Sequence, residues 1–209
     1  AGQAVKFQTM LHQTWQTTLK QLERRFTAET YHNRIEAIRQ QTGDVQQQAL
    51  IELTQEGEEL DLKLVSRNDE HCFIPVQYVD DKVLEMTQAD INALSSKERS
   101  EINANIRHMD KKLERLGMHL GDLEEDARDK VQVLNRDIAK QVLLPKVEQL
   151  LTKFAEVEGL KDYLKYYAED IINNVEVVLE QEEDDFTPGL FSRIPSRYQA
   201  NVIVSHKPN

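Results

Sequence analysis

Two short clusters in this chain carry the residue types from which metal or proton chemistry is made: His71 beside Cys72, and His119 three residues ahead of Asp122. An imidazole with a thiol is half of a zinc site, and an imidazole with a carboxylate is a general base with its orienting partner. Neither spacing carries that chemistry through. His71 and Cys72 are neighbours on a β-prone stretch, so their side chains point to opposite faces and cannot both reach one ion. His119 and Asp122 share a helical face at i and i+3, which predicts an exposed pair of little energetic consequence. His12, His32 and His108 stand alone. Glu124, Glu125 and Asp126 are consecutive, so they splay around a helix as solvated surface. The seven glycines form no GxxxxGK[ST] phosphate loop, and no serine sits between glycines in a nucleophile elbow. Trp15 and the Tyr163, Tyr166, Tyr167 group have the bulk for a sticky surface. Helical spacing instead directs Trp15, Tyr163 and Tyr167 into a core and turns only Tyr166 outward. The expectation is that no catalytic, cofactor-binding or metal-binding residue lies in this chain.

The elements that would have to position such residues are of the wrong kind for a pocket. Apolar residues recur at Ile102, Ile106, Met109, Leu113, Leu116, Leu120, Leu123 and Ala127. Alternating steps of four and three draw a narrow stripe down one long helix, which must lie against a partner helix. After Ala127 the stripe passes to Val131, Leu134 and Ile138, a longer spacing that relaxes the left-handed supercoil. The composition agrees: 39% hydrophobic, 6% aromatic and 30% charged residues suit narrow seams and wide solvated faces. A net charge of −11 argues against nucleic acid and anionic lipid, which both need clustered Lys and Arg. No segment approaches the roughly 20 apolar residues of a membrane span. The start, AGQAVKF, lacks the pattern of a secretory signal, and a single cysteine, Cys72, rules out an internal disulfide and fits a reducing cytosol.

The chain reads as a mainly α protein of long antiparallel coiled-coil helices with a small β element, a C-terminal helix and one stray C-terminal strand. Residues 1–58 form a long helix with the stripe Phe7, Met10, Leu11, Trp15, Leu19, Leu22 and Phe26, resuming at Ile35, Ile38, Val45, Ala49 and Leu53. No proline interrupts it, so a helix of about 50 residues would extend about 75 Å. Gly43 is the expected weak point, and the glutamine-rich stretch around it offers little to pack. Residues 59–95 change to a period of two: Leu60, Leu62 and Leu64, a turn at Arg67–Glu70, a strand from Cys72 to Tyr78, and a third strand near Val83–Met86. Thr87 followed by Asp90 caps a short helix, and Ser95 followed by Glu98, or Ser96 followed by Arg99 on the next turn, caps the next long one. Residues 96–157 are that long helix, kinked near Pro145. Residues 158–181 are a closing helix with Leu160, Leu164, Tyr167, Ile171, Val175 and Val178 on its buried face. Residues 182–196 are an acidic, Pro/Gly-bearing linker. Residues 197–209 hold an alternating strand (Tyr198, Ala200, Val202, Val204) with no local partner, as if opening a further domain.

The order of these segments carries a resemblance. LERRFTAETYHNRIEAI, then FIPVQYVDDKVLEMTQADINAL, then LNRDIAKQVLLPKVEQLLTKF, then LKDYLKYYAEDIINNVEVVLEQ, and finally SRYQANVIVSH resemble, in collinear order, the middle region of bacterial Lon-related proteases whose AAA-type module bears a long helical insertion. The resemblance implies a parent with a phosphate loop upstream and a serine–lysine peptidase domain downstream, binding ATP and assembling as a hexameric ring around a proteolytic chamber. It implies that 197–209 re-enter the nucleotide-binding core. The segment itself would be a non-catalytic helical arm serving substrate engagement, gating or ring assembly. Its partners would be the rest of the parent, neighbouring subunits and unfolded protein substrates. None of the family's active-site motifs falls in this stretch. A stand-alone cytosolic coiled-coil scaffold or adaptor is the other reading that the residues permit.

Overall fold

The first amphipathic run folds as two helices rather than one. In the computed structural model, which describes residues 2–67, 70–80 and 82–180, α1 spans Gly2–Phe26 and α2 spans Glu29–Glu58. The break falls at Thr27–Ala28, and the helix continues through Gly43. The stripe itself contains the signal. From Phe26 the next inward aromatic is Tyr31, a step of five that a continuous helix cannot keep on one face. The two rings meet edge to face across the bend, 5.0 Å between centroids, and the Thr27 hydroxyl donates back to the Glu23 carbonyl at 2.9 Å.

The rest follows in order: β1 (Leu62–Arg67), β2 (Glu70–Val79), β3 (Lys82–Glu85), α3 (Gln88–Ala93), α4 (Ser96–Lys153), α5 (Leu160–Asn173) and α6 (Val175–Glu180). The fold is mainly α, with six helices and a three-stranded antiparallel sheet of order β1-β2-β3 among the described residues. Leu62 pairs with Pro75 and Arg67 with Glu70, while Val76 pairs with Glu85 and Val79 with Lys82. Both capping boxes form. Thr87 accepts from the Asp90 amide at 3.3 Å as Asp90 accepts from the Thr87 amide at 2.8 Å. Ser95 and Glu98 make the same exchange at 3.3 and 2.8 Å. α4 is continuous through Pro145. Pro145 and Gln141 are both exposed, so water can meet the carbonyl that loses its donor. The closing helix is two pieces that part at Asn174, whose side chain turns back onto the Asp170 carbonyl at 2.7 Å. The linker at 182–196 and the strand at 197–209 lie outside the described residues.

The chain divides into two compact units, Ala1–Glu36 with Asp129–Asn209, and Ala37–Arg128. The first holds the larger core, in which Leu11, Trp15 and Leu22 of α1 meet Leu143 and Leu150 of α4 and Leu164 and Ile171 of α5. Phe7 and Phe154 close it edge to face at 5.3 Å, and Trp15 stands against Tyr167 at 6.5 Å. Six expected residues of the closing helix, Leu160, Leu164, Tyr167, Ile171, Val175 and Val178, are all buried.

In the second unit α2 and α4 run antiparallel. Glu56 pairs with Lys112 and Gln46 contacts Glu124, so progress along one helix is retreat along the other. The long stripe of α4 faces inward as its spacing requires, but only Met109 is fully buried; the others are half-buried. On α2 the inward positions above Ala49 are Gln46 and Thr42, while Val45 is 43% exposed. The reading that placed Val45 in the seam is thereby corrected. Stepping back from Leu53 by fours and threes leads to Ala49, Gln46 and Thr42, and the helix obeys that geometry at the cost of a polar seam. The sheet is anchored by Leu62 and Phe73, which join Leu53 and Met109 in a small core.

Candidate interaction surface

His71 is exposed and Cys72 half-buried, on opposite faces of β2; His119 and Asp122 are both exposed. No group of His, Cys, Asp and Glu among the described residues is placed to hold a metal ion. Trp15 is buried at 1% exposure, Tyr167 is buried, and Tyr166 faces outward at 72%. Tyr163 is half-exposed, packed near Phe7 at 6.3 Å, and burial raises the pKa of its phenol.

What the second unit does present is apolar surface at the β2–β3 hairpin. Tyr78 is 59% exposed, Val83 50%, Leu84 45% and Val79 42%. The register sets Tyr78 directly opposite Val83, and Gln77 opposite Leu84. Because side chains alternate, Tyr78 and Val83 share one face and Val79 and Leu84 the other, so the hairpin is apolar on both sides. A sheet built around a core normally has one apolar face; two exposed ones make this hairpin the candidate surface. The sequence signal is the adjacent pair Val83-Leu84, which must place one apolar side chain on each face.

Two open grooves flank the sheet within the same unit. One, of about 740 Å³, has Leu50, Cys72, Leu113, Leu116 and Leu120 among its lining residues. The other, of about 750 Å³, lies between the start of β1, β2 and the first turns of α4, with Tyr78 at its edge. Its apolar floor includes Leu60, Pro75, Val76 and Ile102, and its carboxylates are Glu59, Asp61, Glu98 and Glu101. The Ser95 hydroxyl and amide hold the Glu98 carboxyl below its ordinary pKa, so it stays ionised.

Two buried polar residues among the described ones carry no signal in the sequence pattern, Thr18 and Asn135. Asn135 of α4, in the first unit, is 5% exposed; its Oδ1 accepts from the Tyr31 hydroxyl at 3.0 Å and its Nδ2 donates to Glu176 at 2.7 Å. It ties α2, α4 and α6 through hydrogen bonds at both ends of one amide.

No family model matches the chain, and no curated protein or solved structure matches it either.

Proposed function

We propose that this chain is a non-catalytic helical arm of a Lon-like, ATP-dependent serine protease, and that it engages unfolded protein substrates. The observation that carries the reading is the hairpin whose Tyr78, Val79, Val83 and Leu84 are exposed on both faces. Unfolded polypeptides differ from folded ones in displaying apolar side chains and unpaired backbone, and an apolar edge hairpin can meet both. The collinear resemblance to the helical insertion of Lon-related proteases supports the assignment to a protease. Nucleotide binding and peptide hydrolysis belong, on this reading, to the parent's other domains, with ATP as their cofactor and neighbouring subunits of a ring as further partners. Among the described residues no helix is long and apolar enough to cross a membrane, and the charge of −11 disfavours nucleic acid. We propose a cytoplasmic location, which the single cysteine, Cys72, fits.

The test is binding of a chemically unfolded client, followed by fluorescence anisotropy, with the chain alone. Tyr78→Ser with Val83→Ser is expected to weaken binding by about tenfold or more, the loss of two apolar contacts, while leaving helical content unchanged. The wild-type chain is expected to leave casein uncut in the presence of ATP. Casein turnover by this chain, or equal client binding by the hairpin variant, would overturn the reading. The full reading frame offers a second check: phosphate-loop glycines ahead of Ala1 and a serine–lysine peptidase domain after Asn209 are expected.

A further inference from the structure

We infer that the acidic groove beside the hairpin selects, among unfolded segments, those carrying Lys or Arg next to apolar residues; this deepens the substrate-engagement reading and rests on it. The groove joins two features that a basic–apolar segment satisfies together. Leu60, Pro75, Val76 and Ile102 offer an apolar floor to aliphatic side chains and to the methylene stems of Lys and Arg. Glu59, Asp61, Glu98 and Glu101 supply negative charge, and no Lys, Arg or His is among the described residues that line it. A concave surface of one sign with low-dielectric walls focuses its field, so it discriminates between segments of opposite charge. The volume of about 750 Å³ accommodates a few side chains rather than a folded domain. Tyr78, 59% exposed, lines both the groove and the hairpin, which makes the two surfaces continuous. A segment gripped by the hairpin can therefore lay its neighbouring residues in the groove. An aromatic face beside the carboxylates also suits a guanidinium or ammonium group.

The experiment uses the whole chain and three unstructured peptides of equal apolar content, carrying Lys, Glu or Ser at the polar positions. At low ionic strength the Lys peptide is expected to bind about tenfold tighter than the Glu peptide, and that gap is expected to shrink with added salt. Glu59→Gln with Glu101→Gln alters exposed side chains that hold no cap, so the fold is retained; it is expected to reduce the Lys preference by about fivefold. Glu156→Gln with Glu158→Gln changes net charge equally at residues that do not line the groove, and is expected to leave the preference intact. Equal affinity for the three peptides overturns the inference and leaves the function standing, as does an equal effect of the two double variants. A concentration-dependent dimer that the groove variant abolishes would likewise overturn it, by naming a second copy as the occupant. If none of the peptides binds and no unfolded client does, the substrate-engagement reading falls and takes the inference with it.

Discussion

Single residues in this chain decide more than their types suggest. Gly57 and Gly43 both lie inside α2, where glycine ordinarily costs about 1 kcal/mol against alanine. Their surroundings differ. A methyl added at Gly43 meets nothing within 4 Å, whereas one at Gly57 runs into the Phe73 ring, whose Cδ1 is 3.0 Å away. Phe73 is 3% exposed and shares a buried cluster with Leu53, Leu62 and Met109, so it has little room to yield. Gly43→Ala is expected to stabilise the chain by up to about 1 kcal/mol. Gly57→Ala is expected to destabilise the second unit by about 1–3 kcal/mol through overpacking. Urea titrations of both variants check the opposite signs. Asn135 supplies the polar counterpart. Asn135→Ala removes a group bonded to both Tyr31 and Glu176 and is expected to cost about 1–3 kcal/mol. In a double-mutant cycle with Tyr31→Phe the losses should be less than additive, because the same hydrogen bond is counted twice.

At the scale of elements, the sheet unit is fastened at its helix starts by two carboxylates. Asp90 is held below its ordinary pKa by hydrogen bonds from the Thr87 side chain and amide, and Glu98 by those from Ser95. A carboxylate with a folded pKa below its unfolded one stabilises the fold above the unfolded value. That contribution fades as pH falls through the folded value. Stability is therefore expected to be flat with pH above the ordinary carboxylate range, about pH 4–5, and to decline below it. The Glu98→Gln variant should show a shallower decline in thermal unfolding measured across that window. Capping was legible in the sequence because a box is a local pattern: Thr87 with Asp90 and Ser95 with Glu98 need no distant partner. The break at Thr27–Ala28 was not read, since neither glycine nor proline marks it. Its one mark is a phase slip between Phe26 and Tyr31, whose rings meet edge to face across the bend. Val45 failed for a related reason: an apolar residue was taken for an inward one, although the helix angle assigns that face to Thr42 and Gln46.

For the molecule as a whole, the α4 stripe finds its partner inside the same chain. Met109 is fully buried, and Glu56–Lys112 and Gln46–Glu124 fasten α2 to α4. With its stripe paired within the same chain, the protein is expected to sediment at the mass of one copy at micromolar concentration. A tight hexamer of this chain alone would contradict that expectation. Lys146, in the first unit, is the clearest internal mismatch. Its Nζ is shielded with no hydrogen-bond partner among the described residues, and desolvation lowers its pKa.

The mainly α fold, the three strands and the caps at Thr87 and Ser95 follow from local pattern. Periodicity and capping are properties of residues a few positions apart, and these survive in the linear chain. Tertiary structure alone decided which apolar residues stay uncovered. Tyr78 and Val83 have the same β-prone character as the buried Phe73 and Val76, and only the arrangement of neighbouring elements distinguishes them. It also brought Glu59 and Asp61 to the same groove as Glu98 and Glu101, about forty positions further along. Charge accumulates there through folding, because distance in space rather than in sequence sets the strength of a field.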